Sequence, residues 1–171
     1  MSYLPSVVTM GNLVFGSLSL VMLFHKDYRL AAVFILVAMV MDVLDGRVAR
    51  ALKVSSEFGK ELDSLADLVS FGVAPALLVL QLQKTAGHLK GSMEMIMVLL
   101  ALIFIICGAY RLARFNILNI KEYYVGVPIT VAGMMVALIV LVAPGMAFWI
   151  YMLILALLSF LMVSKITVPK P

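Results

Sequence analysis

The chain has 171 residues, 64% of them hydrophobic and 13% charged, and its mean hydropathy is +1.15. That composition excludes a soluble globular domain, and the lone Cys107 excludes an intrachain disulfide. The net charge of +4 favours an anionic membrane surface or a phosphorylated substrate, and no nucleic-acid partner is expected.

A membrane-spanning helix needs about 20 apolar residues, so the length holds roughly six spans joined by short loops. The expected architecture is all-α: one integral-membrane domain over 1–171 with six transmembrane helices. Six apolar segments are drawn in chain order, at 4–24, 30–51, 57–82, 93–116, 125–143 and 146–163. The first is bounded by Pro5 and by the stretch HKDYR. It lacks the basic region and cleavage site of a signal peptide, so it reads as a retained span. The third fades into QLQKTAGHLKGS, and the APG at 143–145 reads as a tight turn between the last two.

With six spans both termini share a side. On that side fall Arg47, Arg50, Lys53, Lys60, Arg111, Arg114, Lys121, Lys165 and Lys170, against Lys26, Arg29, Lys84 and Lys90 on the other. Nine positives against four place both termini, and the second-to-third junction, in the cytoplasm of a cell membrane.

That junction reads DVLDGRVARALKVSSEFGKELDSLAD, residues 42 to 67. Asp42 and Asp45 are three apart, and Asp63 and Asp67 four apart, so each pair shares a helix face. Gly46 and Ala49 lie on the first stripe and Gly59 on the second, keeping both low. The short connection returns the chain antiparallel, so the two stripes can face each other across one cleft. Four carboxylates at the end of greasy spans need positive compensation. Oxygen ligands converging at such spacing suit hard divalent cations, two of which could share carboxylates and clamp a phosphoryl group. Glu57 and Glu61 lie off the stripes, where a helix start favours anions.

The pattern D-x2-D-G-x2-A-R-x8-G-x3-D-x3-D resembles the signature of the CDP-alcohol phosphotransferase family. Asp42, Asp45, Gly46, Ala49, Arg50, Gly59, Asp63 and Asp67 fill all of its positions. The resemblance implies transfer of a phosphatidyl or similar group from a CDP-linked donor to an alcohol, with release of CMP. It implies two Mg²⁺ or Mn²⁺ ions, one held by Asp42, Asp45 and Asp63, the other by Asp42, Asp63 and Asp67. Asp67 would also be the general base, and Gly46, Ala49, Arg50 and Gly59 would line the CDP pocket. In PSVVTMGNLVFG, Thr9 and Asn12 would approach the donor's diphosphate or nucleotide. A homodimer in the lipid bilayer is implied as well.

The segments GAYRLARFNI, YYVGVPITVAGMM and FLMVSKITVPK, with the aspartate region, resemble the bacterial members that take L-serine as acceptor. CDP-diacylglycerol and L-serine would then give phosphatidylserine and CMP. Serine carries a carboxylate, for which Arg111, Arg114, Asn116 and Lys121 are the candidate partners. The same cations could instead be positive anchors at a span end. Glycerol 3-phosphate or inositol would be the acceptor of a sister enzyme. An ion-coupled transporter is the rival of another class, and it would spread its acids about the midplane.

Overall fold

The computed structural model describes residues 4–52, 56–118, 123–164 and 167–169. Six helices follow one another: α1 (Leu4–Phe24), α2 (Tyr28–Leu52), α3 (Glu57–Thr85), α4 (Ser92–Leu118), α5 (Ile129–Val142) and α6 (Phe148–Val163). The expected all-helical architecture holds, with one small departure. Tyr123–Val125 (β1) pairs antiparallel with Thr167–Pro169 (β2), Tyr124 opposite Val168. The fifth helix therefore starts at Ile129, not at 125, because Gly126 and Pro128 punctuate the chain first.

Local chemistry sets the helix ends. After α1 the Asp27 N–H returns to the Met22 carbonyl, with Lys26 between them in the left-handed region at φ 58°. Asp27 then caps α2 by accepting from the Leu30 N–H at 2.9 Å. Ser56 caps α3 by accepting from the Gly59 N–H at 3.0 Å, and Glu57 stands in its first turn. Gly87, at φ 76°, closes the far end of α3, where only glycine enters that conformation without a side-chain penalty. The expected turn at 143–145 is present, with the Met146 N–H on the Ala143 carbonyl.

Helix α3 is the axis of the bundle and touches all five others. It is not a uniform α-helix. Glu57–Asp67 is α-helical, Leu68–Val73 widens into a π turn, and Ala74–Thr85 resumes the α form. Glycines on both sides admit the wide turn. A Cβ on Gly16 of α1 would sit 2.1 Å from Ser70 Oγ, and one on Gly133 of α5 would sit 2.7 Å from the Phe71 backbone. Phe71, Leu78, Phe104 and Tyr151 fill the core around this axis.

Two helices, Glu57–Thr85 and Ser92–Ile117, are long and apolar enough to cross a membrane. Thr9–Phe24, Ile129–Val142 and Phe148–Val163 are apolar but shorter among the described residues. At 1.5 Å per residue α5 rises about 21 Å, short of a hydrocarbon core of about 30 Å.

Candidate active site

The antiparallel α2–α3 return brings the two acidic stripes together, but unequally. Carboxylate oxygens of Asp42, Asp63 and Asp67 all lie within 4.8 Å of one another. Asp45 stands apart from that triad. Its Oδ2 accepts a hydrogen bond from the Thr9 hydroxyl of α1, and its Oδ1 is buried with no hydrogen-bond partner among the described residues. Three carboxylates this close repel strongly unless a cation lies between them. They offer only hard oxygen atoms, the donor set that a divalent cation such as Mg²⁺ or Mn²⁺ takes. The residues thus fit a metal of the kind the sequence implies, and Asp45 Oδ1 is a further buried acceptor.

The first helix supplies the polar support. Thr9 and Asn12 are both buried, and neither simply points into open space. Thr9 holds Asp45, while the Asn12 amide donates to Asp67 Oδ1 at 3.1 Å. The family resemblance directs these two residues toward a donor's diphosphate or nucleotide; the structure adds that they orient two of the carboxylates. Asn12 Oδ1 is itself buried and unpartnered among the described residues, so one acceptor on this side chain is still available.

The glycines of the motif differ from one another. A Cβ built on Gly46 meets nothing within 4 Å among the described residues. Gly59 is engaged in the α3 cap, its N–H donating to Ser56 and a built Cβ lying 3.1 Å from that hydroxyl. Ala49 and Arg50 belong to the last turns of α2, with side chains outside the described ones.

The candidate acceptor residues separate in space. The Arg111 guanidinium lies near enough to Asp67 for a favourable charge interaction, and it also rests over the Phe115 ring at 5.8 Å. Arg114 turns away and donates to the Val163 carbonyl at 3.3 Å, tying α4 to the end of α6. The Asn116 amide donates to Ser64 Oγ at 3.0 Å and to Glu61 Oε1 at 3.4 Å, bracing α4 against α3. Of the three that are described, only Arg111 is brought to the acidic cluster. Lys121 lies outside the described residues, as do Lys53, Lys165 and Lys170 of the charge count.

One contact of the site is not among the expectations from sequence. Ser70 of the π turn donates to the backbone carbonyl of Asn12 at 3.1 Å, and it can do so only because Gly16 opposes it. The one signal in the sequence was a serine and a glycine, Ser70 and Gly72, directly after the last aspartate.

Residues 2–162 match the family model described as CDP-alcohol phosphatidyltransferase. The chain belongs to that family. It is 38% identical to the CDP-diacylglycerol–serine O-phosphatidyltransferase of Bacillus subtilis, over 99% of this chain and 91% of the relative. The enzyme of the same name from Helicobacter pylori is 35% identical, over 97% of this chain and 71% of its own length. That of Methanocaldococcus jannaschii is 38% identical, over 95% of this chain and 72% of its own. In this family member the family's signature therefore maps onto a real junction of α2 and α3, with α1 as its third wall.

Proposed function

We propose that this chain transfers the phosphatidyl group of CDP-diacylglycerol to the hydroxyl of L-serine, giving phosphatidylserine and CMP. The observation that carries the reading is the Asp42–Asp63–Asp67 triad, whose oxygens converge within 4.8 Å in a chain resembling serine phosphatidyltransferases over nearly its whole length. A transporter would need acids spread along its path; here they gather at one end of the bundle.

In the reaction the serine oxygen bonds to the phosphorus that carries the diacylglycerol. The bond from that phosphorus to the CMP oxygen breaks, and CMP leaves with its electron pair. Two Mg²⁺ or Mn²⁺ ions, when bound at Asp42, Asp45, Asp63 and Asp67, neutralise the diphosphate and make CMP a better leaving group. The protein's own part is positioning and proton transfer. Asp67 takes the proton of the serine hydroxyl, its carboxylate aimed by Asn12. Arg111, beside Asp67, holds the serine carboxylate close to that base. Gly46 leaves the α2 face low for the donor, and the family resemblance adds Ala49, Arg50, Gly59, Thr9 and Asn12 as donor-binding residues.

The membrane setting belongs to this reading. The six helices span the bilayer, with the acidic cluster and both termini on the cytoplasmic side as the positive charges require. The donor's acyl chains then remain in lipid while its cytidine head reaches the cleft. The homodimer is carried by the family resemblance.

The test is incorporation of labelled acceptor into lipid. Purified full-length chain is given CDP-diacylglycerol and Mn²⁺ with labelled serine, glycerol 3-phosphate or inositol in parallel. Label from serine alone, with equimolar CMP, is the expected result. Label from glycerol 3-phosphate or inositol instead would move the chain to a sister acceptor, and no transfer with any of them would refute the reaction class.

A further inference from the structure

The wide turn that interrupts α3 begins at the residue after Asp67, the most enclosed carboxylate of the triad. A π turn places one extra residue per turn, so it is disfavoured unless neighbours demand it, and such turns concentrate at functional sites. Here the demand is visible. Gly16 lets α1 close on Ser70, where a Cβ would fall 2.8 Å from the Ser70 Cα. Gly133 lets α5 close on Phe71 from another side. Ser70, Phe71 and Gly72 are all buried.

The close approach has a specific product. Ser70 Oγ donates to the main-chain carbonyl of Asn12 at 3.1 Å. The side chain of that same Asn12 donates to Asp67 Oδ1 at 3.1 Å. Asn12 is therefore gripped by α3 at two points, once through its backbone by Ser70 and once through its amide by Asp67. The two α3 residues are three positions apart on opposite sides of the start of the π turn. The distance between the Asn12 amide and the triad is thus set by the Ser70 contact, not by α1 alone.

From this geometry we infer that Ser70 is a positioning residue for the metal-binding carboxylates: through the Asn12 backbone it holds the Asn12 amide on Asp67, and so presets the triad for a divalent cation. The inference rests on the metal-site reading given above. Removing groups that orient a metal ligand commonly weakens affinity about ten- to a hundredfold. Ser70 acts one contact further out, and a single neutral hydrogen bond corresponds to about three- to tenfold.

The experiment titrates Mn²⁺ into the purified full-length chain without lipid substrate and follows free Mn²⁺ by electron paramagnetic resonance. Ser70→Ala is expected to raise the Mn²⁺ Kd about three- to tenfold, with the far-ultraviolet helical signal unchanged. Asn12→Ala is expected to raise it more, and Ser70→Ala added to Asn12→Ala is expected to change nothing further, because the path runs through Asn12. An unchanged Kd in Ser70→Ala, or an additive effect in the double variant, would overturn the inference while leaving the metal site standing. Absence of Mn²⁺ binding by the parent chain would instead remove the metal-site reading itself. Should Ser70→Ala lose its helical signal, Ser70→Cys supplies the second arm. It keeps the shape of the side chain and replaces the hydroxyl by a much weaker donor, and it is expected to weaken Mn²⁺ in the same direction; unaltered affinity there counts against the inference too.

Discussion

Helices α3 and α4 look alike by hydropathy and live in opposite surroundings. Both are long and apolar enough to span a bilayer, yet 61% of the apolar window of α3 is buried within the bundle against 22% for α4. Helix α3 carries Asp63, Asp67 and the π turn, and every other helix packs on it. Helix α4 shows Met95, Leu99, Leu102 and Ile106 outward and contributes to the site only near its C-terminal end, through Arg111. In a bilayer an outward leucine needs no protein partner, because lipid is as apolar as the bundle interior. Apolarity therefore fits a helix to cross a membrane without telling whether it is the axis or the wall.

The sharpest way to break this contrast is at the charged end of α3. Asp63→Asn or Asp67→Asn should lower CMP release by about a thousandfold or more, the loss expected when a metal ligand or base is removed from a concerted site. Folded yield, followed by size exclusion in detergent, should be nearly unchanged. Full activity in either variant would strip α3 of its assigned chemistry.

A smaller effect should divide the two arginines of α4. Arg111→Ala is expected to raise the KM for serine about tenfold or more, with the KM for CDP-diacylglycerol little changed. Arg114→Ala should leave both constants close to the parent values and lower the unfolding temperature, since its partner is the Val163 carbonyl. Equal shifts in both substrates for Arg111→Ala would make it another brace.

The smallest effects compare packing alone. Gly133→Ala gains about 1 kcal/mol of helix propensity. Against that, its Cβ meets the Phe71 backbone at 2.7 Å, an obstacle no rotamer relieves. Overpacking of this kind costs about 1–3 kcal/mol, so a net loss is expected. Leu102→Ala, on the outer face of α4, should stay within about 0.5 kcal/mol. Thermal unfolding in one detergent measures both; a larger loss at Leu102 would mean that this face meets protein.

Much of the site is legible in the sequence alone. The aspartate spacing placed Asp42 on one helix and Asp63 and Asp67 on the next, and the short link between them required an antiparallel return. These are local facts, governed by 3.6 residues per turn and by the reach of a few loop residues. The ribbon of β1 and β2 was not legible, because its two strands lie far apart in the chain and are only three residues each. Nor could spacing tell Arg111 from Arg114, since three residues apart is nearly, but not fully, one turn.

By itself the sequence determined an all-helical membrane-type chain, six apolar segments, and a family signature with its carboxylates on two adjoining helices. Tertiary structure alone decided that Asp42 joins Asp63 and Asp67 while Asp45 turns to Thr9, and that α3 opens into a π turn after Asp67. The physical reason is that periodicity orders residues along one helix, whereas the relation between helices is set by how closely backbones approach. Here that approach is granted at Gly16 and Gly133, on helices distant in sequence from the turn they shape.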